Sequence, residues 1–191
     1  MKAFQKRQLE RFLEAVDDAL TDPVGVIVIG GTAAALHYGV TRATHDIDTW
    51  TTVQKDLAAA AEQARAVTGL DVPILKSAVA DAPDEFESRL ERVLPHLGRL
   101  TVLVPEKHDL VLMKAMRRYE HDLQAIAQIH ANSPLDLDTL IQRPWRERAW
   151  GASSPSFHWA SGPTAPFALT PTPAVAAPSP GGTSSCTSRG G

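Results

Sequence analysis

The chain has 191 residues, 43% of them hydrophobic, which allows one globular domain and a tail. Its formal net charge of −3 does not advertise nucleic-acid binding, so an RNA partner would need a local basic patch. The longest apolar run, Val24 to Ile29, is far too short to cross a bilayer, and MKAFQKRQLERF is no signal peptide. The single cysteine, Cys186, excludes an internal disulfide framework and fits a reducing compartment, which points to a cytoplasmic protein without membrane contact.

In chain order, Phe4, Leu9, Phe12, Leu13, Val16 and Leu20 recur at helical spacing, so Met1 to Leu20 is expected to form an amphipathic helix ending near Thr21-Asp22-Pro23. Val24 to Ile29 reads as a buried strand, Gly30-Gly31 as a turn, and Thr32 to His37 as the opening of a helix that Thr32 would cap. Glycines in that turn let a phosphate approach backbone N–H groups, and the helix N-terminus favours an anion. Next comes Asp46-Ile47-Asp48. In an extended strand, alternate side chains share a face, so the two carboxylates project together roughly 7 Å apart and can share divalent cations. Order and spacing carry this signal, because either motif alone is common in turns and caps.

Helical spacing returns over Val53 to Thr68, with Leu57, Ala61 and Ala64 facing inward, and a strand is expected over Val72 to Ala80. Glu85 to Leu94 reads as a helix, Leu100 to Val104 as a short strand, and Glu106 to Ile129 as one long helix or two joined ones. That last region carries Lys114, Arg117, Arg118 and Asp122. A solvated lysine and a surface ion-pair network are the ordinary expectations there, and the three basic residues are also the candidates for an RNA-binding patch. No histidine pair has a zinc spacing such as His-Glu-x-x-His. Composition changes near Pro144. Eight of the fourteen prolines lie from Pro144 onward, with Trp145, Trp150 and Trp159, so residues 1–143 are expected to form the domain and 144–191 a disordered tail, either a linker or a partner-binding segment.

The run Ile29-Gly30-Gly31 followed by Asp46-Ile47-Asp48 resembles the minimal nucleotidyltransferases of the DNA polymerase β superfamily. More narrowly, GGTAAALHYGVTRATHDID, with Arg42 and Thr44 before the acids, is similar to nucleotidyltransferase toxins of abortive-infection and toxin–antitoxin systems, and PEKHDLVLMKAMRRYEHDLQAI is similar to their helical segment. The resemblance covers most of residues 24 to 143. It implies an α/β (α+β) nucleotidyltransferase fold, a small mixed sheet flanked by helices with a helical C-terminal segment. It also implies Mg²⁺ (or Mn²⁺), an NTP substrate, an acceptor such as a tRNA end or a protein side chain, and an antitoxin protein as partner. Gly30, Gly31, Thr32, Arg42 and Lys114 are the implied nucleotide contacts. A third acid is implied on the strand beside the Asp-x-Asp strand, where Asp81 is the first choice and Asp71 the second; the alternative for Asp81 is a turn or cap residue before Pro83. The chain departs from the family pattern at Thr32, where many relatives have Ser, and at Ala125, where relatives often have Asp.

The implied mechanism is transfer by two cations, with Asp46, Asp48 and Asp81 as metal ligands and catalytic acids. Two other readings stand beside it. One is a catalytically silent member that binds nucleotide or a partner; the other is an interaction protein whose acids merely cap a loop, against which the co-occurrence of the motifs argues.

Overall fold

In the computed structural model, which describes residues 2–77 and 81–143, the first helix, α1 (Lys6–Ala19), begins after Gln5, whose N–H donates to the Gln8 side chain at 2.9 Å. The helix is shorter at its start than its apolar period suggested, because Phe4 is already extended and bridges to Thr44. Leu9, Phe12, Leu13 and Val16 form its buried stripe, packed chiefly against α3 (Lys55–Thr68). In α3 the inward residues are Leu57, Ala60, Ala61 and Ala64, and the helix stops at Gly69, whose φ of +68° suits a residue without a β-carbon.

Strand β1 (Val24–Ile27) pairs in parallel with β5 (Leu100–Val104), and β5 pairs antiparallel with β4 (Glu91–Val93). The near-continuous apolar run of β5 is what a strand covered on both faces requires. Strands β2 (Ile47–Thr49) and β3 (Ile74–Lys76) form a second, parallel pair with Asp48 opposite Leu75. An antiparallel bridge between Val28 and Thr49 joins the two pieces. It is extended by the Ile29 N–H bonded to the Asp48 carbonyl and the Trp50 N–H bonded to the Ile27 carbonyl, each at 2.9 Å. The result is a small mixed sheet flanked by helices. Asp17 on α1 ties the sheet to the helical layer by accepting from the N–H groups of Gly98, Arg99 and Leu100 at the entrance to β5.

One expected element is corrected. Glu85 to Leu94 is not a helix but a single 3-10 turn, Phe86–Arg89, followed by β4. Glu85 and Leu94 both take positive φ, 55° and 51°, which interrupts any helix at each end, and pairing with β5 captures the residues between. Residues 106–129 form two helices, α4 (Lys107–Arg117) and α5 (Glu120–Asn132), broken where Arg118 adopts φ 55°. A last short helix, α6 (Leu137–Gln142), follows. The described residues lie in one compact unit. Residues 78–80, the end of the expected 72–80 strand, and the expected tail 144–191 fall outside the described residues.

Candidate active site

The site begins where β1 ends. Ile29 is the N-cap of α2 (Gly30–His37), so the two glycines are its first helical residues rather than a turn before it, and Thr32 lies within the first turn instead of capping it. Both glycines are required by contact. At Gly30, φ is +70° and an added β-carbon would stand 2.9 Å from Oδ2 of Asp48; at Gly31 it would stand 3.0 Å from Oγ1 of Thr44. The glycines therefore let the Asp48 carboxylate lie directly against the α2 N-terminus. Thr32, 1% exposed, donates its hydroxyl to the Asp46 carbonyl at 2.6 Å, and Thr44 donates to the same oxygen at 3.3 Å. Those two hydroxyls fix the backbone that presents the acids.

Asp48 sits in the middle of β2 between buried Ile47 and Thr49, and Asp46 stands one residue before the strand. Burial raises the Asp48 pKa, and the nearby Asp46 carboxylate raises it further, while Lys114 and Arg117 act in the opposite direction. Among the described residues neither carboxylate makes a hydrogen bond or ion pair. Two close, half-buried carboxylates that repel each other and keep their lone pairs open are a donor set that suits a hard divalent cation, with water or phosphate oxygens completing its coordination.

The opposite wall comes from α4 and α5. Lys114 is 3% exposed, contrary to the solvated position ordinary for its type, and donates to Oδ1 of Asp122 at 3.1 Å. Arg117 donates to the same oxygen at 2.9 Å. Burial opposes ionisation of the fully buried Asp122, but Lys114 and Arg117 outweigh it and hold its carboxyl below the usual range; burial pushes the Lys114 ammonium down despite Asp122. Among the described residues Oδ2 of Asp122 has no hydrogen-bond partner, and Nε2 of His121 lies 3.9 Å from it.

Asp48, Gly30, Lys114 and Arg117 line one pocket, together with Ser77 and an apolar floor of Ile29, Leu110 and Met113. Ile29 and Met113 belong to a small apolar cluster with Ile27 and Phe86, against which Trp50 packs edge-on, its ring centroid 4.8 Å from that of Phe86. The 1%-exposed Phe86 ring alone is worth about 2–3 kcal/mol to that support.

Other expected residues lie elsewhere. Arg42 is exposed on the segment between α2 and β2 and does not line the pocket. Asp81 is exposed beyond β3, and Asp71, 88% exposed, pairs with Arg65 at 3.5 Å. No three Asp, Glu, His or Cys side chains are gathered as a metal group among the described residues, so the third acid expected beside Asp46 and Asp48 is not brought to them. Arg118 is exposed at the α4–α5 break, apart from the Asp122 network, and Ala125 is a core residue. Ser77 is the site residue that the sequence did not single out. Its only signal was its position just past β3, on the strand beside Asp48.

A small mixed sheet flanked by helices, in which β1 enters α2 through Gly-Gly and Asp-x-Asp stands at the start of β2, is a nucleotidyltransferase fold. The family described as "Nucleotidyltransferase of unknown function (DUF6036)" matches residues 7–156, and the chain belongs to that family. No curated protein and no solved structure matches the chain. Among the described residues no helix is long and apolar enough to cross a membrane.

Proposed function

We propose that this protein is a divalent-cation-dependent nucleotidyltransferase that moves a nucleoside monophosphate from an NTP to an acceptor hydroxyl on a tRNA end or a protein side chain. One observation carries the reading: Gly30 admits the Asp48 carboxylate to the N-terminus of α2, and Lys114 and Arg117 line the same pocket. Asp46 and Asp48 would hold Mg²⁺ or Mn²⁺, which when bound makes an acceptor hydroxyl more acidic and offsets charge on departing pyrophosphate. The chain's own contribution is orientation. Backbone N–H groups at the start of α2 and the Lys114 and Arg117 side chains attract the triphosphate and align its α-phosphorus for attack. The acceptor oxygen forms the new P–O bond, the bond to the β-phosphate breaks, and the acceptor proton passes to solvent. The resemblance of the GGTAAALHYGVTRATHDID segment to toxin–antitoxin nucleotidyltransferases is the ground for a toxin role with an antitoxin protein as partner.

A second reading, a silent nucleotide-binding member, is favoured because no third acid is gathered with Asp46 and Asp48 among the described residues. The deciding experiment incubates wild type and an Asp46→Ala/Asp48→Ala variant with each labelled NTP, Mg²⁺, total tRNA and a cell-protein mixture. Label on RNA or protein with wild type alone supports transfer and names the acceptor class. Mg²⁺-dependent nucleotide binding without label on any acceptor supports the silent reading.

A further inference from the structure

We propose that the site holds one divalent cation, with Lys114 and Arg117 supplying the positive charge that a second cation would otherwise bring to the triphosphate. The inference rests on the nucleotidyltransferase reading and departs from the two-cation mechanism that the sequence resemblance implies. Three observations support it.

The first is the count of acids. Asp46, which does not itself line the pocket, interacts electrostatically with Asp48, which does, and among the described residues no third Asp, Glu, His or Cys side chain is gathered with them as a metal group. Outside those residues the sequence offers one acid, Glu147, and residues 78–80 are Ala-Val-Ala. Two cations close together normally need a carboxylate to share plus further ligands on each; two acids and a serine suffice for one.

The second is the placement of the basic residues. Lys114 and Arg117 line the wall facing Asp48, and both donate to a single oxygen, Oδ1 of Asp122. Two cationic side chains on one carboxylate leave one positive charge in excess, already held in place before any ligand arrives. A buried ammonium held this way is a fixed charge in a low-dielectric wall, where its attraction for phosphate exceeds that of a surface lysine.

The third is the overall charge. Asp46, Asp48 and Asp122 against Lys114 and Arg117 leave the cluster formally one unit negative. One divalent cation makes it one unit positive, enough to attract a triphosphate. A second would raise it to three units positive beside a buried lysine and an arginine that already share their one acid partner, Asp122.

Ser77 takes a defined place in this arrangement. It lines the pocket one residue past β3, where its N–H bonds the Thr49 carbonyl at 2.9 Å, and brings a neutral side chain rather than an acid to that wall.

The test counts Mn²⁺ by electron paramagnetic resonance titration of the full chain with a non-hydrolysable NTP analogue, in wild type, Lys114→Met and Arg117→Gln. The expected result is one Mn²⁺ per chain without Mn–Mn coupling. At saturating Mn²⁺, each variant should lose about tenfold or more in analogue affinity, the scale of a charge-assisted contact to phosphate, while its Mn²⁺ count stays at one. Arg117 is 30% exposed, so its variant keeps the test decisive if loss of the buried lysine unfolds the other. Two coupled Mn²⁺ ions per wild-type chain would overturn this inference alone. Wild-type affinity for the analogue in a folded Arg117→Gln would overturn it as well. No Mn²⁺ uptake at all would remove both the inference and the nucleotidyltransferase reading beneath it.

Discussion

Helix α4 carries a basic–acidic cluster at each end, and the two differ in a way that separates structure from function. At its start, fully buried Asp109 receives Arg89 through both carboxylate oxygens, Nε to Oδ2 at 2.9 Å and Nη2 to Oδ1 at 3.2 Å, while Arg143 stands 2.7 Å from Oδ1 and 2.6 Å from Glu106. At its end, Lys114 and Arg117 crowd onto one oxygen of Asp122, the other oxygen has no hydrogen bond, and both cations border the Gly30–Asp48 pocket. Both acids are equally buried, so burial does not distinguish them. The first cluster uses both oxygens of its acid on protein partners; the second has attraction left over and aims it at a cavity.

Removing the charge from the closed cluster should therefore produce the largest stability effect. Asp109→Asn leaves Arg89 and Arg143 facing a neutral group in a buried setting, and the expected loss is about 3–5 kcal/mol in chemical denaturation. Asp48→Asn, by contrast, removes a carboxylate that burial and Asp46 both disfavour, so it should fold at least as stably as wild type while losing Mn²⁺ binding and transfer. If Asp48→Asn proved the more destabilising of the two, the division into a structural end and a functional end would fail.

Gly30→Ala sharpens the same division at intermediate size. The substitution imposes positive φ on an L residue and drives its β-carbon against Oδ2 of Asp48, so a stability loss of about 1–3 kcal/mol should come with displacement of the carboxylate. The diagnostic readout is Mn²⁺ affinity, expected to fall with stability here and to survive in Asp109→Asn molecules that remain folded. A Gly30→Ala protein with wild-type Mn²⁺ affinity would show that close approach at Gly30 does not position Asp48.

Acid titration extends the comparison, because Asp48 and Asp122 shift in opposite directions. The Asp48 pKa is raised, so the stability it contributes when protonated is present below its ordinary value of 3.8 and lost as pH rises through the raised value. Asp122 is lowered, so its contribution is present above 3.8 and lost as pH falls through the lowered value. The difference in unfolding free energy between wild type and Asp48→Asn should therefore change with pH above 3.8, in the sense that wild type loses ground as pH rises. Saturating Mg²⁺ should abolish that slope. A pH-independent difference without Mg²⁺ would contradict the raised Asp48.

How much of this was legible in the sequence follows from the distance over which each interaction acts. Gly30, Asp46 and Asp48 were readable because two short motifs on adjoining elements define their geometry. The fold class was readable for the same reason, together with the apolar periods of α1, α3 and β5. The region from Glu85 to Leu94 was misread because its extended form depends on pairing with β5, and its positive-φ residues, Glu and Leu, carry no turn signature. Residue type alone would leave Lys114 solvated, and only the resemblance singled it out, because its burial depends on Asp122, eight residues on across a helix break that no glycine announces. The Asp109 cluster draws partners from positions 89 and 143, a separation at which spacing carries no information. The third acid was expected by analogy with other nucleotidyltransferases, and among the described residues no acid joins Asp46 and Asp48 as a metal group.

The helix break itself provides the smallest and most discriminating change. Arg118 sits at φ 55° with an exposed side chain, one residue beyond the α4 terminus that carries Arg117. Glycine adopts that backbone without the β-carbon clash, which favours Arg118→Gly, yet it also enlarges the unfolded ensemble, which opposes it, so the net change in unfolding free energy should stay within about 1 kcal/mol. Because Arg118 takes no part in the Asp122 network, binding of an NTP analogue should be unchanged. If RNA is the acceptor, however, the loss of an exposed basic side chain beside Arg117 should weaken RNA binding and reduce its salt dependence, since each phosphate contact releases counterions. A variant with normal analogue affinity and weakened, less salt-sensitive RNA binding would divide the end of α4 between two tasks, Arg117 facing the triphosphate and Arg118 facing the acceptor. Unchanged RNA binding would assign the whole basic end of α4 to the nucleotide.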